Sequence, residues 1–175
     1  MSEIKTGPNS VFHRARKLQR EGKLEEAVVA YNQILETSTK SAWTYSNLGE
    51  TLAKLGNLDN AINSYRQAIE LNPNRSWFYY QLGTLLLRKG ELSAAASSLG
   101  KAIEIRPKKH FLYHQLGEVL EKQGKLDAAL GCWQKAIQLN SKSSASYHKI
   151  AEFFFKQQQW EKAVENYRQA LNLNP

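Results

Sequence analysis

Residues 42–75 read AWTYSNLGETLAKLGNLDNAINSYRQAIELNPNR, and this stretch decides the fold. Tyr45, Leu48, Gly49 and Leu52 fall at i, i+3, i+4 and i+7, which is one face of a helix. Gly56 ends that helix, because glycine takes the left-handed cap conformation without steric cost. Leu58, Ala61, Ile62, Tyr65, Ala68 and Ile69 then form a second apolar stripe. Asp59, near its start, suits the positive end of the helix dipole. Pro73 cannot continue the second helix and resets the chain. The connection is only a few residues long, so the two helices run antiparallel.

The same unit recurs along the whole chain. Ala27, Ala61, Ala95, Ala129 and Ala163 are each 34 residues apart, with no insertion. Gly22, Gly56, Gly90 and Gly124 keep that spacing, and the fifth copy has Gln158 instead, which leaves its turn less well specified. A bulky residue follows each alanine by four: Tyr31, Tyr65, Leu99, Trp133 and Tyr167. Prolines close three copies at Pro73, Pro107 and Pro175. The reading is a flexible lead over residues 1–7, then one repeat domain over 8–175, in copies 8–41, 42–75, 76–109, 110–143 and 144–175. Gly49, Gly83 and Gly117 are expected where each first helix crosses Ala61, Ala95 and Ala129, letting the axes approach at the short end of the roughly 8–10 Å range. Larger residues such as Tyr45 and Tyr65 are expected to fill the space against the following copy. One hairpin cannot bury both stripes alone, so the copies must stack.

Tyr45-x-x-Leu48-Gly49-x-x-Leu52…Ala61-x-x-x-Tyr65…Pro73 resembles the tetratricopeptide repeat, a family with this period. The third copy (Tyr79, Leu82, Gly83, Leu86, Gly90, Ala95, Leu99, Pro107) and the fourth (Tyr113, Leu116, Gly117, Leu120, Gly124, Ala129, Trp133) match nearly as well. The first departs, with Arg14 for the leucine and Thr39 for the proline. The resemblance implies an all-α fold, a right-handed α-solenoid of five antiparallel helix-turn-helix repeats. It also implies a concave wall built from the first helix of each copy, where a peptide or partner segment is held.

Carried onto this sequence, the resemblance assigns that wall three rows. Trp43, Trp77 and Phe111 make an aromatic row, with Tyr80 beside it, and aromatics bury much area at little rotamer entropy. Asn47, Gln81 and Gln115 make an amide row suited to the backbone of an extended peptide. Arg20, Lys54, Arg88, Lys122 and Lys156 make a basic row, one per copy, which favours acidic groups on a partner. Phe12 and Arg16 flank these rows in the first copy, His114 in the fourth, and His148 and Lys149 in the fifth. Each row has a plainer alternative. The aromatics can pack between neighbouring first helices, and the basic row can be a solvated face offset by Glu50, Glu118, Glu121 and Glu152. Some members of the family clamp a chaperone's C-terminal carboxylate with a Lys, Asn, Asn, Lys, Arg set. The matching positions here are Phe12, Arg16, Asn47, Trp77 and Gln81, of which only Asn47 agrees, so that specificity is disfavoured.

Composition narrows the other classes. The 175 residues carry a net charge of +8, and 42 % are hydrophobic, enough for a folded core. Half of that charge falls in residues 76–109, a local bias rather than a phosphate-tracking stripe, so nucleic acid is a lesser alternative. No apolar run is long enough for a membrane helix, no secretory leader is visible, and Cys132 has no disulfide partner in the chain; the cytoplasm is the expected location. Phosphate-loop, dinucleotide, nucleophile-elbow and zincin motifs are absent, so no catalytic residues and no cofactor are assigned. His110 and His114 at i, i+4 are the best metal candidate, set against ligand-facing or solvated histidines. Gly100 and Gly131, on second helices, each cost about 1 kcal/mol against alanine unless a close contact requires them.

The expected function is a non-catalytic protein-interaction scaffold, an adaptor or targeting module at the N-terminal part of a larger protein. Tetratricopeptide arrays also precede transferases, as in O-linked GlcNAc transferase, so an attached catalytic domain stays open. The alternative is self-assembly, with Val164, Tyr167, Leu171 and Leu173 of the last helix stacking end to end on another copy.

Overall fold

The computed structural model describes residues 8–37 and 40–174; the proposed N-terminal lead, Thr39 and Pro175 lie outside them. Among the described residues there are ten α-helices and no strands. They are α1 (Pro8–Arg20), α2 (Leu24–Thr37), α3 (Ala42–Lys54), α4 (Leu58–Leu71), α5 (Ser76–Lys89), α6 (Leu92–Ile105), α7 (His110–Lys122), α8 (Leu126–Leu139), α9 (Ser144–Lys156) and α10 (Trp160–Leu173). Each copy supplies two, so α3 and α4 are the pair read from residues 42–75. None is long and apolar enough to cross a membrane.

The turns use the glycine column. Gly22, Gly56, Gly90 and Gly124 have φ of 79°, 79°, 84° and 77°, the left-handed region that side chains resist. Gln158 takes the same conformation, with φ 59°, so the fifth copy keeps the turn in spite of its side chain. Asn57 caps α4, its side chain accepting from the Asn60 backbone N–H at 3.4 Å. α4 and α6 stop at Leu71 and Ile105, two residues before Pro73 and Pro107.

The chain forms two compact units, Met1–Leu85 and Leu86–Pro175. In the first, α2 packs on α3, and in the second α6 packs on α7 and α8 on α9, each time a second helix against the next first helix. The alanine column is the seam: Ala27, Ala61, Ala95 and Ala129 are fully buried. At Gly49 an added Cβ would lie 2.9 Å from two Tyr65 ring carbons and 3.2 Å from the Ala61 carbonyl oxygen. At Gly117 it would run into the Trp133 indole, 2.6 Å from Cδ1. The glycine therefore makes room for the bulky residue of its own copy as much as for the alanine. The Tyr65 ring sits over Gly49 of its own copy, while its hydroxyl reaches Gln81 of the following one. A Cβ at Gly100 or Gly131 would meet nothing within 4 Å, so no close contact among the described residues explains them.

Candidate functional site

The expected residues sit on the first helices α1, α3, α5, α7 and α9, and the aromatic ones come first. Trp43 and Trp77, at equivalent positions of consecutive copies, are each 46 % exposed. Trp43 leans edge-on against the fully buried Phe78, centroids 5.6 Å apart, and the Arg75 guanidinium lies 4.7 Å from the centre of its ring. Trp77 pairs with Tyr80 at 5.3 Å. Phe111 is half-buried and meets His110 edge-on at 5.9 Å. In the first copy Phe12 packs edge-on against Tyr31 at 6.1 Å. Of these contacts, only Trp43–Phe78 joins neighbouring first helices.

The amides are less free than their row suggests. Asn47 donates to the Trp43 carbonyl at 2.7 Å, Gln81 to the Tyr65 hydroxyl at 3.2 Å and Gln115 to the Glu118 carboxylate at 2.7 Å. Each has one amide N–H committed in this way and keeps its second N–H and its carbonyl oxygen. Tyr65 is pushed up to about 12 by burial, against the hydrogen bond from Gln81, so the phenol stays protonated at any physiological pH.

The basic residues divide into paired and unpaired. Arg16 and Arg20 are exposed, and the Arg20 Nε–H donates to the Arg16 carbonyl at 3.4 Å. Lys54 pairs with Glu50 at 2.8 Å on the solvent side, a contact worth at most about 1 kcal/mol. Arg88 and Lys122 are exposed. Lys156 and Lys149 both bond Glu121, at 3.0 and 3.1 Å, and Lys149 also bonds Glu152 at 2.9 Å. Burial pushes Glu121 up, but the two ammonium groups outweigh it and hold the carboxyl below its ordinary value. Burial likewise pulls Lys149 down, while Glu152 and Glu121 outweigh it and leave its pKa raised. Two lysines and two glutamates here cancel, so an acidic ligand must break these pairs before it gains from them.

In the second unit α7, α9 and α10 line an open pocket of about 600 Å³. It gathers three of the expected residues, His114, His148 and Lys149, and adds Glu118, Tyr167 and Leu171. The His114 Nδ1 is 3.0 Å from the Ser146 hydroxyl, and burial lowers its pKa against the opposing pull of Glu118, so the ring is neutral near pH 7. His148 stacks edge-on against Tyr167 at 5.5 Å, and its Nδ1 is 4.0 Å from Glu152. His110, the other half of the metal candidate, has its Nε2 3.2 Å from the Asn140 amide at the far end of its own copy. The two histidines are thus engaged separately, His114 with the next copy and His110 within its own. Among the described residues no group of three His, Cys, Asp or Glu is placed to hold a metal ion. Burial pushes the Cys132 thiol up, away from reactivity.

Two contributors escape a reading of the sequence. Arg75 sits in a short linker with no periodic signal, yet covers the exposed Trp43. The column Thr44, Phe78, Leu112 and Ser146 is buried in the second to fifth copies, at 3 %, 0 %, 0 % and 0 % exposure, although its residue type changes from each copy to the next, and its first-copy member Ser10 is exposed. Position in the register, not chemistry, is its only mark.

Comparison with known proteins agrees with this geometry. A TPR repeat profile matches residues 51–90, and tetratricopeptide repeat profiles match 78–109, 110–143 and 144–175. The chain belongs to the tetratricopeptide repeat family. No curated protein matches the chain. Among solved structures, a crystal structure of MamA is 25 % identical, with 91 % of this chain and 93 % of that one covered and a TM-score of 0.85. MamA from residue 41 onward of Desulfovibrio magneticus RS-1 is 19 % identical, covers 98 % and 97 %, and has a TM-score of 0.88. YrrB, a TPR protein described as having an unusual peptide-binding site, is 22 % identical, covers 98 % and 89 %, and has a TM-score of 0.79. The fold is that of these tetratricopeptide solenoids, and the chain is a protein-interaction scaffold of that class.

Proposed function

We propose that the first-helix wall holds an extended peptide or a partner's helix, and that the chain does no chemistry of its own. The observation that carries this reading is the pair Trp43 and Trp77, two indoles left 46 % exposed at the same position of consecutive copies. Large apolar surface kept in water at a repeated position is what an anchor requires. Tyr80 and Phe111 extend that row, and the carbonyl oxygens of Asn47, Gln81 and Gln115 accept from a bound backbone. Arg20, Lys54, Arg88 and Lys122 favour acidic groups on the partner, and Phe12, Arg16, His148 and Lys149 contribute with them. A cytoplasmic setting goes with this reading, because the lone Cys132 suits a reducing compartment. An adaptor or targeting role beside another domain follows from the same wall.

The test is selection of a random peptide library on the intact chain, followed by binding to a Trp43→Ala/Tyr80→Ala/Phe111→Ala variant of equal circular dichroism. Enriched peptides should bind the variant at least tenfold more weakly. Equal binding by both places the site elsewhere.

One observation favours self-assembly as a second reading. Val164 and Leu171 of α10 are 47 % and 64 % exposed, whereas Ile62, the counterpart of Val164 in the second copy, is 3 % exposed. A helix of a second copy laid there would bury them. Light scattering then shows mass rising with concentration for the intact chain and a constant monomer for Val164→Lys/Leu171→Lys. A monomer at every concentration in the intact chain removes this reading.

A further inference from the structure

A second groove lies in the first unit, between α2, α3 and α4, with a volume of about 450 Å³. It is independent of the wall. None of its lining residues is charged, in a chain where 23 % of residues are. Carboxamides dominate it instead: Asn32 on one side, and Asn57, Asn60, Asn63 and Gln67 on the other. Leu48, Leu52 and the half-buried Tyr45 form its floor.

The amides are not all committed to the fold. Asn57 is occupied as the α4 cap, and Gln67 donates to Glu70 at 3.0 Å. Asn32, Asn60 and Asn63 are exposed, and their side chains bond no described residue. Asparagine is also a weak helix former, so three of them inside α2 and α4 work against the helices that carry them. Nor does the scaffold demand them. At the next junction the positions of Asn57, Asn60, Asn63 and Gln67 hold Glu91, Ala94, Ser97 and Lys101, and at the one after they hold Lys125, Ala128, Gly131 and Lys135. The cluster belongs to one junction of the array.

Its spacing fits one kind of ligand. Asn60, Asn63 and Gln67 stand at i, i+3 and i+7, on one face of α4. Along the helix axis they span about 10 Å, at 1.5 Å per residue. Three residues of extended chain cover about the same length, at roughly 3.3 Å each. A carboxamide offers both donors and an acceptor, the complement of a peptide unit's own N–H and C=O. We infer that this groove binds an uncharged, extended peptide segment along α4, through main-chain hydrogen bonds to the α4 amides and Asn32, with its side chains on the apolar floor.

The probe is a library of acetylated and amidated nine-residue peptides made without Asp, Glu, Lys, Arg or His, selected on the intact chain. Enriched peptides are expected to bind with an affinity unchanged between 50 and 500 mM salt. Asn60→Ala/Asn63→Ala should weaken them at least tenfold while holding or raising the melting temperature, since alanine is the better helix former. Trp43→Ala/Tyr80→Ala/Phe111→Ala should leave them bound, which separates this site from the wall. The inference is overturned if no peptide is enriched, if the asparagine variant binds equally, or if only the wall variant loses binding. A neutral oligosaccharide array bound through Asn60 and Asn63, with no peptide bound, equally overturns the peptide assignment.

Discussion

The second and fourth copies carry the same joint with different occupants. In one, Gly49 faces the Tyr65 ring, whose hydroxyl accepts from Gln81 at 3.2 Å. In the other, Gly117 faces the larger Trp133 indole, whose buried Nε1 has no hydrogen-bond partner among the described residues. Their first helices differ too: Trp43 stands half in water, with a Lys54–Glu50 pair at the other end of its helix, while Phe111 is half-buried and the next copy's lysines are tied to Glu121. The repeated columns therefore conserve a relation of volumes, and the rest of the surface is free to vary. A scaffold that tolerates a whole indole in place of a phenol at its seam can also change its ligand without changing its fold.

The largest expected effect strikes that seam. Gly117→Ala drives a methyl into the indole and should cost about 2–3 kcal/mol by thermal unfolding, after the helix-propensity gain is counted. Gly49→Ala meets the Tyr65 ring edge less severely and should cost about 1 kcal/mol. Adding Trp133→Leu, the residue type of Leu99 in the third copy, should recover part of the Gly117→Ala loss. A larger loss at Gly49 than at Gly117 would break the volume comparison.

Next come the turns. Gly124→Ala should destabilise by about 1–2 kcal/mol, because a side chain at φ 77° crowds the backbone. Gln158→Gly should stabilise by about 0.5–1 kcal/mol, the same relief less the entropy of glycine. If both changes leave the melting temperature where it was, the turn column contributes nothing. Smaller again is Gly100→Ala, where open space allows a gain of up to about 1 kcal/mol from helix propensity alone.

How far the residues announced all this depends on whether a constraint repeats. The helices, turns and alanine seam were legible because each imposes the same residue type every 34 positions: small at Ala129, left-handed at Gly124. Phe78 and Ser146 occupy one buried column in two incompatible chemistries, so periodicity could not reveal it. The site was legible only as a set of positions. That Asn47 and Gln115 donate to Trp43 and Glu118, or that Lys149 bridges two carboxylates, depends on rotamers that spacing does not encode.

The smallest effect is electrostatic. Burial lowers the His114 pKa below its ordinary 6.5, so the unfolded chain takes the proton first. The stabilising contribution of the neutral ring is complete above about pH 6.5 and falls as pH drops below that value. His114→Gln should flatten urea-unfolding midpoints between pH 7 and 5 relative to the intact chain. An unchanged pH profile would assign the dependence to another group.

The central claim, that the first helices carry the partner, is tested most directly by photo-crosslinking. A benzophenone-bearing residue replaces Tyr80 in one variant and Gly100 in another, and each meets a peptide enriched from the random library. The account predicts crosslinks from position 80 and none from position 100. Crosslinks from position 100 alone would contradict it and move the partner onto the second helices.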